Sequence, residues 1–256
     1  MFIDDAQFEL RLARDAADLA MAQSLRYEVF VAELGGDGAL VDHGARLEAD
    51  RFDPFFDHLM LLDHSRQDNP CVGVYRLMRA EQAREAGQFY TDDEYDLTCL
   101  RASGRQLLEL GRSCLHPDYR GGAAMMHLWT GLAGYVEAHG IELMFGVASF
   151  HGTDAASLAA PLSFLHHRHL APAPIRVRAH AQGFQRMDLI APGELDRAAA
   201  SRAIPSLIKG YLRMGGFVGE GAFIDRPFNT TDICLVMDVA RIPARQRDLY
   251  RQGLRA

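Results

Sequence analysis

Apolar and polar residues alternate over Phe8–Leu12, the two-residue period of a strand with one buried face. Asp15 follows, with Asp18 three residues on, a spacing that favours a helix N-terminus. Leu19, Ala22, Leu25, Val29 and Phe30 fall on one helical stripe, which Gly35-Gly36 is expected to end. Residues 36–57 are acidic and weakly periodic and read as a long ordered loop. His58–Asp63 and Val72–Met78 flank the turn-forming stretch Ser65–Pro70, the signature of a hairpin. Gln106–Leu115 predicts a further strand, Ala123–His139 a helix closed by Gly140, and Ile141–Ala148 a buried strand. A strand–loop–helix–strand unit makes its two strands neighbours in one sheet.

Beyond residue 150 the pattern continues without a linker. Ala155–Leu170 predicts a helix kinked at Pro161, Phe184–Ile190 a strand, and Ala203–Met214 a helix closed by Gly215-Gly216. Phe217–Ile224 and Asp232–Val239 read as strands and Ala244–Gln252 as a last helix. The expected fold class is α/β, a mixed central sheet flanked by helices with a C-terminal α/β elaboration. One domain is expected over 1–256, with about 8–150 as its core and 151–256 packed on the same sheet.

Composition narrows the function classes. The chain is 48% hydrophobic and 24% charged, which excludes a disordered protein. No apolar run approaches the ~18 residues of a membrane span. Met1–Asp5 lacks the basic and apolar regions of a secretory signal. Cys71, Cys99, Cys114 and Cys234 stand apart with no Cys-x-x-Cys, so they read as reduced thiols in a cytoplasmic chain. The net charge of −7 hides an asymmetry: 13 Arg against 23 acids up to residue 120, then 13 Arg and Lys209 against 11 acids. No basic domain of a nucleic-acid binder is present. The basic half, with Arg241, Arg245, Arg247, Arg251 and Arg255 near its end, suits an acidic protein or peripheral contact with an anionic membrane.

The segment Leu108–Gly122 carries the strongest chemical signal. Its strand ends in a glycine-bearing loop that enters a helix, an arrangement whose free N–H groups and dipole favour an anion. The layout resembles the acyl-donor motif of the GNAT acyltransferase superfamily. The resemblance implies that Ser113, Cys114, Leu115, Arg120, Gly121 and Gly122 hold a pantetheine arm. Ala123 and Met125 stand where the family's loop carries small residues. The crowding by Met125 favours a donor with one phosphate, the phosphopantetheine arm of acyl carrier protein, over coenzyme A.

Leu25–Phe30, Asp50, Asp53, Val72–Leu77 and Glu109–Arg112 follow the order and spacing of acyl-homoserine-lactone synthases, which are GNAT-like. The tryptophan those enzymes carry after the phenylalanine is missing. The chain is more similar still to the L-ornithine Nα-acyltransferases, through Leu25–Gly35, Arg51–His58, Phe89–Leu97, Leu108–Gly122, Leu162–Leu170 and Pro205–Thr231. That resemblance implies transfer of a 3-hydroxyacyl group from acyl carrier protein to the α-amine of ornithine, giving lyso-ornithine lipid. The alternatives are another N-acyl-amino-acid synthase, an acyl-homoserine-lactone synthase among them, or a protein that only binds acyl carrier protein.

An α-amine is mostly protonated near neutral pH and needs a base before it attacks a thioester. By the resemblance, Glu109 takes that proton, with Arg112 beside it; pairing of Glu109 with Arg112 alone is the plainer reading. A bulge in this strand, also implied, would free N–H groups to face the thioester oxygen. Arg26 and Arg76 are candidates for gripping the amino-acid carboxylate, and Asp50 or Asp53 for holding the distal ammonium. No metal is expected: His166, His167 and His169 lack carboxylate or thiol neighbours at ligand spacing. His58 and Asp63, five apart on a strand, are expected on opposite faces.

Overall fold

The computed structural model describes residues 3–4 and 7–246. The chain forms two compact units. One comprises Met1–Gly87, Leu110–Ile141 and Ala244–Ala256, the other Gln88–Glu109 and Glu142–Pro243.

In the first unit a short strand, Ile3–Asp4, pairs with β1 (Phe8–Leu12), β1 with β2 (Asp57–Asp63), and β2 with β3 (Cys71–Arg79), all antiparallel. β4 (Leu107–Leu115) follows β3 in the sheet order. The expected hairpin is therefore present, with a register shift at Leu61/Leu62. Helix α1 (Ala16–Arg26) starts where expected, its N-cap Asp15 accepting a hydrogen bond from the Asp18 N–H.

Alternation along the strands sorts the core into two faces. Met60, Leu62 and Val74 pack with Ala22 and Leu25 of α1 and with Cys114 of β4. Leu10, Leu59 and Gly73 turn the other way, toward α2 (Ala124–Ala138). A Cβ on Gly73 would lie 2.8 Å from Leu115 Cδ2 and 3.0 Å from Leu128 Cδ1, so only glycine lets the helix settle there. His58 and Arg76, paired in register and even-numbered like Met60 and Val74, fall on the α1 side.

Past Arg26 the helix does not simply continue. Tyr27–Glu33 form a π-helical segment, with the Leu34 N–H reaching back to Val29 O. The stripe of Val29 and Phe30 is met, but the wider turn changes where Glu33 points.

In the second unit, Leu107–Glu109 of β4 pair in parallel with Leu143–Phe145 of β5 (Leu143–His151), as the strand–helix–strand pattern requires. A short strand, Phe184–Gln185, pairs with β6 (Ala222–Asp225), and β6 with β7 (Thr230–Asp238), both antiparallel. β7 pairs antiparallel with β5 from Thr230↔His151 to Asp238↔Leu143. The mixed α/β class read from the sequence is what the structure shows.

Four expected elements are corrected. The strand expected over Phe184–Ile190 is confined to Phe184–Gln185. Helix α3 begins at Ala159, not Ala155, which puts Pro161 in its first turn, where a missing N–H costs nothing. The helix expected over Ala203–Met214 begins only after Pro205, as α4 (Ser206–Arg213), and a separate helix, Arg197–Ala203, precedes it. The strand expected over Phe217–Ile224 is broken by Gly219–Gly221 into Phe217–Val218 and β6. The expected terminal helix runs beyond the described residues, as do Arg247, Arg251 and Arg255. No described helix is long and apolar enough to cross a membrane.

Candidate active site

The acidic loop, read as long and ordered, is built around its own carboxylates. Asp50 Oδ1 accepts the Phe52 N–H at 2.9 Å, an Asx turn, and Asp53 opens a short 3-10 turn, Asp53–Phe55. The loop carries its acids beneath the end of α1. Arg26 and Arg76 are 0% exposed, an extreme position for arginine that needs full pairing.

They are paired. Arg26 donates to Glu48 Oε2 at 2.5 Å and to Asp53 Oδ1 at 2.7 Å. Arg76 donates to the same Asp53 oxygen and to Asp50 Oδ2, each at 2.7 Å, and its guanidinium lies 4.3 Å from the Phe56 ring centroid. Arg112 of β4 closes the set, donating to Glu48 Oε1 at 3.2 Å with Asp50 at 3.5 Å. Three arginines thus meet three acids. Burial alone would raise the pKa of Asp53, but Arg26 and Arg76 overturn that and hold it well below the usual carboxylate range. Glu48 and Asp50 are lowered in the same way, burial opposing and the arginines prevailing.

His58 lies beside this cluster, its Nε2 3.0 Å from Asp53 O. Burial pushes its pKa down to about 4, so the ring is neutral near pH 7. Asp63 has other partners, Ser65, Gln7 and Tyr119, in keeping with the opposite faces expected of the two residues.

Sequence reasoning placed Arg26, Arg76, Asp50 and Asp53 together correctly and missed Glu48. No sequence signal marked Glu48, which lies in the weakly periodic acidic loop. Arg26 and Arg76, the candidates for a substrate carboxylate, are fully buried and donate to Glu48, Asp50 and Asp53. Asp50 and Arg112 are the members that retain some exposure.

Arg112 also adopts φ +47°, the left-handed region rarely visited by residues with a Cβ. This left-handed residue stands in the strand where the resemblance implies a bulge. Beyond it Cys114 turns into the core against Cys71 and Val74. Burial pushes its thiol up to about 12, which keeps it protonated and unsuited to nucleophilic attack. Leu115 is buried too, so neither side chain faces a solvent-borne donor. The Oγ of Ser113 is buried and has no hydrogen-bond partner among the described residues.

The loop after β4 keeps its predicted form. Arg120 donates to Glu33 through both terminal nitrogens, at 2.7 and 2.6 Å, and through Nε to Leu115 O at 3.2 Å. Gly121 takes φ +77° and Gly122 is exposed. α2 then begins with no side-chain cap, leaving its first N–H groups to an outside acceptor.

In the second unit Glu109 is 1% exposed. Its Oε1 accepts the Thr91 N–H at 2.6 Å and the Thr91 hydroxyl at 2.5 Å, and its Oε2 the Tyr90 N–H at 2.8 Å. The Phe89–Leu97 stretch, quoted only for its resemblance, is what orients this carboxylate. The second unit also brings Glu94, Asp225 and Asp232 together, one carboxylate oxygen of each within 4.8 Å of the others. These acids, rather than the histidines of α3, are the group among the described residues with metal-ligand spacing.

Comparison with known proteins decides the family. Residues 25–130 match the Acetyltransferase (GNAT) domain. An L-ornithine N(alpha)-acyltransferase of Rhodobacter capsulatus is 61% identical over 246 residues, covering 95% of this chain and 94% of that protein. The chain belongs to the L-ornithine Nα-acyltransferase family. The family member from Brucella abortus is 42% identical, over 94% of this chain and 88% of its own length. Among solved structures, the CoA-dependent acyl-homoserine lactone synthase BjaI matches with a TM-score of 0.53 at 13% identity, covering 98% of this chain and 90% of that one. A second such synthase, MesI, gives 0.51 at 13% identity, covering 97% and 96%. These two likenesses establish a shared acyltransferase fold.

Proposed function

We propose that the chain transfers a 3-hydroxyacyl group from acyl carrier protein to the α-amine of L-ornithine, forming lyso-ornithine lipid. The observation that carries this reading is the near-full-length identity with the Rhodobacter capsulatus enzyme. Glu109 accepts the proton that the α-ammonium must lose, directly or through water, its carboxylate aimed by Thr91 and Tyr90. The donor's phosphate meets Arg120, Gly121, Gly122 and the uncapped start of α2. Arg112 and Asp50 are the charged groups left to meet the amino acid, while Arg26, Arg76, Glu48 and Asp53 hold them in place. The protein works in the cytoplasm and meets the membrane peripherally, where its amphiphilic product leaves.

The test is incubation with 3-hydroxyacyl-carrier protein and either ornithine or S-adenosylmethionine, followed by mass spectrometry. N-acylornithine is expected; product with S-adenosylmethionine alone overturns the assignment. Glu109→Gln is expected to lower kcat by a factor of about 100 or more. The structure adds a condition. A glutamine that keeps the Thr91 contacts turns an NH2 toward the Tyr90 N–H, a mismatch costing about 1–3 kcal/mol of stability. The loss must therefore be measured per folded enzyme, and full kcat in that fraction removes Glu109 from the mechanism.

A further inference from the structure

Arg120 is held on one side and open on the other. Its Nε is fixed to Leu115 O, so the two terminal nitrogens face outward in a fork, and Glu33 fills that fork with both carboxylate oxygens. Glu33 comes from a different segment, as the last residue of the π-helix. The side chains are 41% and 38% exposed, so both are reachable from solvent. Arg120 lowers the pKa of Glu33, which keeps the carboxylate charged.

We propose that Glu33 occupies the place of the donor's phosphate and sets donor affinity by competing for Arg120. The proposal rests on the carrier-phosphate reading of Arg120 given above. The phosphate that joins a pantetheine arm to a carrier serine is a diester, with one negative charge shared over two free oxygens. A carboxylate offers the same charge and the same two-pronged face, and an arginine fork accepts either. The two differ in what lies beside the fork. A phosphate there also meets the uncapped N–H groups of α2 and backbone at Gly121, where nothing stands within 4 Å of the missing Cβ. Among the described residues, Glu33 reaches across from the π-helix to bond Arg120 and not that helix start. On exchange it passes to water at little cost, because exposed pairs are weak. No bond is made or broken; one anion replaces another.

The experiment is steady-state kinetics with 3-hydroxyacyl-carrier protein and ornithine for Glu33→Gln, Glu33→Ala and Arg120→Ala, and for Glu33→Gln combined with Arg120→Ala. Removing the Glu33 charge is expected to lower the donor KM about three- to fivefold, the ceiling an exposed pair allows. kcat and the ornithine KM stay within twofold, a split that general damage to the fold would not produce. Arg120→Ala raises the donor KM, and in that background Glu33→Gln has no further effect. A donor KM that is unchanged or higher in both Glu33 variants, or that falls equally without Arg120, overturns the competition. A donor KM insensitive to Arg120→Ala overturns the phosphate reading beneath it as well.

Discussion

Arg26 and Arg120 each meet carboxylate oxygens through a guanidinium, one under the end of α1 and the other on the surface beyond β4. Arg26 shares its acids with Arg76 and Arg112, and every partner among them is wholly or mostly buried. Among the described residues Arg120 pairs with one acid, Glu33, and both members face solvent. Burial makes the first arrangement expensive to disturb, because removing one charge strands the others in a medium that cannot solvate them. Exposure makes the second exchangeable. The same pairing therefore serves as a clamp in one place and as an exchangeable contact in the other.

The comparison breaks most visibly at Asp53. Asp53→Ala leaves Arg26 and Arg76 short of a shared acceptor in the core and is expected to cost about 3–5 kcal/mol in chemical denaturation. A cost below about 1 kcal/mol would place this cluster with the surface pairs.

Acid sharpens the contrast next. His58 titrates near 6.5 when unfolded and about 4 when folded, so the unfolded chain binds the extra proton between those values. Stability from its neutral state is complete above pH 6.5 and lost as pH falls toward 4, worth up to about 3 kcal/mol. Asp63, pulled down to about 2 by Ser65 and Tyr119 against the opposing effect of burial, adds a second loss below about pH 4. In His58→Gln the upper limb of the stability profile is expected to flatten while the lower one persists. An unchanged slope between pH 6.5 and 4 would assign that limb to other groups.

Glu33→Gln makes the smallest prediction. It should change stability by less than about 1 kcal/mol, and the wild-type contribution should shrink further in high salt. A larger, salt-independent loss would move this pair into the clamp class.

What could be read in the sequence follows the same division. The strands around Met60 and Val74 were legible as short, nearly continuous apolar runs buried on both faces, and the helix from Asp15 by its cap and its one-sided apolar stripe. The charged site was legible as a set of residues but not as an arrangement. Arg26 on an apolar stripe looks like a ligand-gripping group until its partners are seen, and Glu48 lies in a loop with no period to mark it. Glu109 was singled out by the resemblance, but the donors that orient it come from Tyr90 and Thr91, 19 and 18 residues earlier. The left-handed turn at Arg112 had no signal, since nothing in the residue type announces it. Pro161 was misread because its effect depends on where the helix begins. The π-helix escaped because its apolar residues satisfy an ordinary helical stripe equally well.

That wide turn has a consequence for how the segment can vary. Each residue of an α-helix advances the side chains by about 100° around the axis. A π turn spends an extra residue on about the same rotation, so deleting one position between Tyr27 and Glu33 would restore ordinary winding and leave Glu33 on nearly its present bearing, with Arg26 upstream unmoved. The stretch can therefore lose the single residue that widens its turn and keep the carboxylate on the same compass point, whereas losing a second would swing it by about 100°.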